Sequence, residues 1–495
     1  MQGKLRRLMR PCWAVMLVAA AVGLLSSPVA PTASPAASLS NVHPAVSVYA
    51  DIHEGESIPV IVQVSGATSS LMAEVEQSGG EVTKDFHIIN AFAAEIPADT
   101  LRLLERQPMV RWVSLDAPVL AEGKNDLSED NVDVSNLATV YPYAANAVSV
   151  WNNGEESSTG DGIAVALLDS GVSSRDVRGP KLVRSVSFDS KNTTDEFGHG
   201  THAAGIVAMD GSRNGGKYIG IAPDARIINV RVSDDKGKAV LSDVIEGLQW
   251  IVDYRDKFNI RVVNISMNAV VPDSYLRDPL DAAVEQAWLH DIVVVVSAGN
   301  FGTDTASVDH APANDPFVIT VGAFADMGTL DPTDDQLTDW SSRGTTLDGI
   351  AKPEVVAPGS DIISSLARRS YLAELLPDHI VDEDYLRLSG TSTSAAVVSG
   401  VVALMLEEDP TLTPDEVKFR LLEGADPLAG SAAPRVDAFD AVFSDSQGEA
   451  NQGLIYNELI DPDSGTILRD SILWHSILWH SILWHSILWH SVVLQ

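Results

Sequence analysis

The sequence predicts an α/β protein with a mainly parallel central sheet, preceded by a small α+β unit. Three observations carry this. From about Tyr141 onward, apolar runs of strand length alternate with stretches of helical periodicity. The first of those runs ends on an acid, Asp169, where open α/β sheets present their chemistry. Upstream, residues 57–119 read as β-α-β-α-β, with one strand long enough to be bent in two.

Composition sets the frame. With 495 residues, 45% of them hydrophobic, the chain is long enough for two or three domains. Lys4, Arg6, Arg7 and Arg10 precede an apolar run over 14–25 that is too short to span a bilayer, so residues 1–30 read as a secretory signal. Secretion is the expected localisation. The single cysteine, Cys12, lies within that segment, so the mature protein is expected to carry neither a disulfide nor a thiol nucleophile. The net charge is −35, and the first 30 residues hold four of the 33 bases and none of the 68 acids. So acidic a chain has no basic surface for nucleic acid, and self-repulsion that favours solubility is the simplest reading of its charge. No EF-hand-like spacing is present; a structural calcium site is neither required nor excluded.

Residues 31–56, rich in Pro, Ala and Ser at their start, read as a linker. In the unit that follows, IPVIVQV (58–64) is a strand. Leu71, Met72 and Val75 have helical spacing, stopped by Gly79 and Gly80. Residues 86–96 are strand-like, 99–106 helical, and 110–115 a closing strand. An acidic stretch within 120–140 is an exposed linker. The larger unit spans 141–445. Its strands are expected at 163–168, 227–232, 262–267, 292–296 and 317–321, and its helices at 241–254 and 280–290. After Gly390 an apolar helix runs to about Leu406. Thr413-Pro414-Asp415-Glu416 has the pattern of a capping box, and Gly424 suits the stop.

Two strings stand out: GHGTHAAG (198–205) and SGTSTSAA (389–396). A serine hydroxyl is a poor nucleophile at neutral pH. It needs an imidazole to take its proton and a carboxylate to orient that imidazole. His199 is the better base, because Gly198 and Gly200 permit close approach of backbone and substrate, with a helix able to begin at Thr201. A lone histidine is also often structural. His199 and His202 are three apart with no HExxH pattern, which argues against zinc. Ser389, Ser392 and Ser394 are the candidate nucleophiles. Ser392 opens the helix, whose N-terminus favours developing negative charge. Taken alone, the string also resembles an ordinary cap. SAGN (297–300) follows an apolar strand, and Asn300 is positioned to donate to an oxyanion; a turn is the plainer reading.

These residues resemble the subtilisin-like serine peptidases. The matching strings are LLDSGV, GHGTHAAG, NISM, SAGN, APGSDI and SGTSTSAAVVSG, in the family's order. The resemblance covers about 141–442. It implies a subtilisin-like three-layer fold, with Asp169 as orienter, His199 as general base and acid, Ser392 as nucleophile and Asn300 as oxyanion donor. Ser266, Met267, Asn268, Ser297, Ala298 and Gly299 would bind substrate. Residues 57–119 resemble the family's inhibitor-type, ferredoxin-like propeptide, which implies an autoprocessed zymogen cut between Val119 and Tyr143. Protein or peptide substrates and the chain's own propeptide are the implied partners, and the reaction needs no cofactor. Three departures are visible. Thr393-Ser394-Ala395-Ala396 replaces the usual residues after the nucleophile, so the helix must pack differently there. Asn268 stands where the family has glycine, which narrows the primary pocket. An excess over 368–385 rims the cleft.

The C-terminal extension, 446–495, carries SILWH four times from Ser471. A period of five scatters Trp474, Trp479, Trp484 and Trp489 around a helix and alternates them across a strand, so neither gives one apolar face. Repeat expansion, a histidine metal site, and contact with a membrane or cell wall are the readings open to it. For the whole chain the alternative is a catalytically silent binding protein on the same fold, acting through its tail. Such a protein usually lacks a triad member, and none is missing. A lipase or esterase is disfavoured because the Gly-x-Ser-x-Gly elbow is absent.

Overall fold

The computed structural model describes residues 41–53, 57–121, 139–190, 192–303, 307–461 and 465. The signal segment, the 122–138 part of the acidic linker and the SILWH repeats lie outside the described residues. The chain divides into two compact units, one holding residues up to Asp116 and from Glu458 onward, the other Ala117–Asn457. Among the described residues no helix is long and apolar enough to cross a membrane.

The smaller unit is a four-stranded antiparallel sheet of β1 (Ile58–Val64), β2 (Glu81–Phe86), β3 (Ala91–Ile96) and β4 (Val110–Leu115), in the order β2-β3-β1-β4. Helices Thr68–Gln77 and Ala98–Leu104 make the crossovers, giving the β-α-β-β-α-β ferredoxin-like arrangement. The strand-like stretch over 86–96, long enough to be bent in two, is the last residue of β2, a turn over 87–90 and β3. Ile88 and Ile89 are buried inside that turn, which made the apolar run look continuous. Asn90 holds the turn in a left-handed conformation, its Nδ2 donating to the Val64 carbonyl at 2.6 Å. The expected linker also carries structure: Pro44–Ile52 is a helix whose N-cap, His43 Nδ1, accepts the Ala45 amide at 3.0 Å.

The larger unit holds β5 (Pro118–Ala121), β6 (Ala164–Asp169), β7 (Leu182–Ser187), β8 (Arg226–Arg231), β9 (Lys238–Val240) and β10 (Ile260–Ile265). It continues with β11 (Met267–Ala269), β12 (Val293–Ser297), β13 (Ile319–Ala325), β14 (Gln336–Leu337), β15 (Gly344–Thr345) and β16 (Ala351–Lys352). β17 (Val355–Pro358), β18 (Ile362–Ser365), β19 (Ile380–Val381) and β20 (Tyr385–Leu388) complete it. The main sheet runs β14-β13-β12-β10-β6-β8-β7, with β17 also on β13. Every pair in it is parallel except β13 with β14. The core strands are wholly buried and read as continuous apolar runs for that reason. β6 lies between β10 and β8, so the chain leaves it in both directions and its carboxyl end is a topological switch point.

Helices cover the sheet in two groups. Leu241–Phe258 packs on Pro279–Leu289, and His199–Ala208 packs on Thr391–Glu408. The last is buried along its length from Thr391 to Leu406, which explains its lack of a polar face. The capping box at Thr413 forms both of its bonds: Thr413 Oγ1 accepts the Glu416 amide, and the Thr413 amide donates to Glu416 Oε2.

Candidate active site

Asp169 is the last residue of β6 and His199 the first of its helix, two residues earlier than the sequence suggested. Both are buried, at 1% and 3% exposure. His199 Nδ1 lies 2.9 Å from each carboxylate oxygen of Asp169. The carboxylate accepts, so Nδ1 carries the proton and Nε2 is the basic nitrogen. Gly200 makes the approach possible. A Cβ there would collide with the Gly171 carbonyl oxygen and sit 3.1 Å from Asp169 Cβ, forcing the helix off the strand.

The loop before His199 is tied down by Asp195, which sequence reasoning missed. Its Oδ1 accepts from Gly198 N at 2.6 Å and Ser170 Oγ at 2.9 Å; its Oδ2 accepts from Thr201 N at 2.8 Å. Burial pushes this carboxyl up, against those hydrogen bonds. An acid placed just before a glycine and a helix start was the available signal. The second histidine of GHGTH has a structural place. His202 Nε2 donates to the carbonyls of Ile362 and Leu386, both at 3.0 Å, and burial drives its pKa down to about 3.

Ser392 is the second residue of helix Thr391–Glu408, at 2% exposure. The other two candidate serines are engaged with backbone. Ser389 Oγ accepts from Asp361 N at 2.9 Å, and Ser394 Oγ donates to the carbonyls of Ala357 and Pro358. Thr393 Oγ1 donates to the Gly390 carbonyl at 2.8 Å. The two hydroxyls that follow Ser392 thus pin the helix to the end of β17, to Gly359 and to its own N-terminus.

Asn300 reaches the same helix start. Its Oδ1 accepts from Thr391 N at 3.0 Å and from Thr391 Oγ1 at 3.2 Å. With the oxygen so used, the amide nitrogen is the group left to donate elsewhere. Gly299 N donates to Thr391 Oγ1 at 3.1 Å. Ala298 N donates to the Val321 carbonyl, fixing SAGN at the end of the sheet. Ser266 Oγ donates to the Ser392 carbonyl at 3.3 Å. Met267, Asn268 and Ala269 form β11, and Asn268 Nδ2 donates to the Ser297 carbonyl at 3.3 Å. Hydrogen bonds therefore tie Gly299 and Asn300 to Thr391, Ser266 to Ser392, and Asn268 to Ser297. Another joins Asp169 to His199, and the two helices bearing His199 and Ser392 pack together.

An unforeseen strand borders this site. β5 lies between β9 and β11, antiparallel to both, with Ala121 opposite Met267, Leu120 opposite Asn268 and opposite Lys238.

An open, mainly parallel sheet thus carries an acid–imidazole pair at a strand end, with a serine opening the helix packed against the imidazole's own. The chain belongs to the subtilase family, whose model matches residues 160–449. It is similar to the serine protease AprX of Bacillus subtilis strain 168, at 36% identity over 349 residues, covering 69% of this chain and 75% of that one. Subtilisin E of the same organism is 30% identical over 366 residues, covering 72% and 81%. Among solved structures, fervidolysin from Fervidobacterium pennivorans, a keratinolytic enzyme related to subtilisin, shares the fold. Its TM-score is 0.61 at 23% identity, over 79% of this chain and 62% of that one. The protein is a serine protease of this family, acting on protein substrates.

Proposed function

We propose that the protein is a secreted endopeptidase made as an inactive precursor, with Asp169, His199 and Ser392 as its triad. Ser392 Oγ attacks the scissile carbonyl while His199 Nε2 takes its proton. Asp169 holds the imidazole and stabilises its charged form. Asn300 Nδ2 and the Ser392 amide bind the oxyanion. The tetrahedral intermediate collapses to an acyl-enzyme as His199 passes the proton to the leaving amine. Water, activated by the same imidazole, then releases the acid. In this reading the side chains carry the chemistry and no cofactor takes part.

The observation that carries the reading is the position of β5. A peptide bound between β9 and β11 forms backbone hydrogen bonds on both sides and is led toward Ser266 and Ser392. The chain's own residues 118–121 occupy that track, which supports an inhibitory, self-processed propeptide. With Ala121 opposite Met267, one residue short of Ser266, the register supports a cut one residue past Ala121, between Glu122 and Gly123. Asn268, bonded across to Ser297, supports a narrowed primary pocket. The SILWH repeats would hold the secreted enzyme at the cell surface; removal of residues 470–495 should then release it into the medium.

The test is Ser392→Ala. Wild-type protein should react with a fluorophosphonate probe, digest casein and begin, once mature, at Gly123. The variant should do none of these and stay full length. Digestion of casein by Ser392→Ala, or its cleavage in this window without added protease, would overturn the proposal.

A further inference from the structure

The 368–385 segment is folded, not loose. Ser370 Oγ accepts from Ala373 N at the start of the short helix Tyr371–Leu375, and β19 pairs with β20. Leu366, Leu372, Leu376, Leu386 and Leu388 close a small core of their own, with Phe197 packed against it. Phe197 stands two residues before His199. Its ring stacks with the His199 imidazole, centroids 6.4 Å apart, and with the Tyr371 ring, centroids 6.1 Å apart. Two backbone bonds fix this stack: Tyr371 N donates to the Glu196 carbonyl at 2.8 Å, and Leu372 N to the Phe197 carbonyl at 3.0 Å. The segment's helix keeps apolar surface open to solvent, with Tyr371 at 42% and Leu375 at 46% exposure.

The stack also meets the peptide track. A Cβ on Gly237 would fall 2.6 Å from two atoms of the Phe197 ring, so that ring lies directly on the Gly237 backbone. Gly237 immediately precedes β9. Since Lys238 faces Leu120, the register sets Gly237 across from Ala121, the residue that also faces Met267. One step further along the track comes Ser266, bonded to Ser392. A substrate on this track therefore carries its penultimate residue, counted back from the scissile bond on the acyl side, past the Phe197 ring.

We infer that Phe197, buttressed by Tyr371 from the 368–385 segment, selects a large apolar or aromatic side chain at the penultimate substrate position. Such a side chain sheds water against two rings, whereas glycine leaves them wet and a carboxylate loses hydration without gaining a partner. The inference rests on the proposed use of the β5 track by substrate.

The experiment uses mature enzyme and four quenched fluorescent peptides that differ only at the penultimate residue: Phe, Leu, Gly or Asp. Wild type should favour Phe and Leu over Gly by about tenfold or more in kcat/KM. Tyr371→Ala and Phe197→Ala should each shrink that ratio severalfold, and Tyr371→Lys should raise the Asp peptide relative to the others. A purely structural segment would lower all four peptides in parallel and leave the ratios fixed. Equal wild-type turnover of the four, or ratios unmoved in Tyr371→Ala, overturns the inference. Failure on all four by protein that still reacts with fluorophosphonate overturns the use of the track; failure to react at all overturns the proposed chemistry itself.

Discussion

The imidazole of His199 and the carboxylate of Asp169 meet through two equal 2.9 Å contacts to one nitrogen, sealed from water at the end of β6. A symmetric pair of contacts fixes ring orientation as well as tautomer. The Ser170 amide holds Asp169 Oδ1 at 2.7 Å, so the acceptor is itself fixed.

Asp169→Asn should fold normally, being isosteric, yet lose about 10⁴-fold in kcat. An amide presents a donor to Nδ1 and stabilises the wrong tautomer. Far-ultraviolet circular dichroism and peptide hydrolysis measured together test this. A folded variant retaining a tenth of wild-type kcat would show that Asp169 does not set the tautomer.

Asn300 is expected to act only once the oxyanion forms, so its loss should fall on kcat and spare KM. Asn300→Ala should cost about 10²–10³-fold in kcat. Truncation also removes the acceptor for Thr391 N, so a second variant separates the two effects. Asn300→Asp keeps the acceptor and discards the donor, and should lose as much activity while melting near wild type. An active Asn300→Asp would rule out the amide as the donor.

The pairing of Asp169 with His199 and the place of Ser392 at a helix start were legible because each residue sits in a short string whose glycines and small residues are dictated by tight local geometry. The long apolar strands and the Thr413 capping box were legible from periodicity and end signals. β2 and β7 were not: both are half exposed, and their alternation carries little apolar content. Asp195 was hidden because two of its partners are backbone amides and the third, the Ser170 hydroxyl, lies 25 residues away. The stacking of Phe197 on Tyr371 joins segments far apart in sequence, which no local pattern encodes. The charge reading also missed something. In a chain this acidic, Asp278, Asp281, Glu285 and Asp315 look like solvated surface, yet all four are buried.

Ser394→Ala tests how the helix that carries Ser392 is held. Ser394 is fully buried and donates to the carbonyls of Ala357 and Pro358 at 3.1 and 3.2 Å. Removing the hydroxyl leaves both without that donor and should cost about 1–3 kcal/mol, read from the urea midpoint. Activity at temperatures well below the transition should persist, since this hydroxyl touches no reacting atom. An unchanged midpoint would mean the helix is held by packing alone.

The buried carboxyl cluster makes stability depend on pH in a particular direction. Glu285 accepts the Asn457 amide at both oxygens and shares a hydrogen bond with Asp315. Burial pushes Asp278 up to about 7 and Asp315 to about 6, and raises Asp281 and Glu285 well above the usual carboxylate range. Asp273 adds to this at Asp278 and Asp281, while Lys352 and Lys418 oppose it at Asp315. Those lysines also hold Glu354 below its ordinary value, an effect confined to more acid conditions. Groups with raised folded pKa values keep protons that the unfolded chain has lost. Their stabilisation is complete below about pH 4 and drains away as pH rises through the folded values. The unfolding free energy should therefore fall between about pH 5 and about pH 8. Glu285→Gln retains an acceptor for Asn457 and gives Asp315 a donor that never ionises. Its urea midpoint should vary less across that range and exceed wild type at the alkaline end. Parallel curves for the two proteins would show that Glu285 does not carry the proton the pair shares.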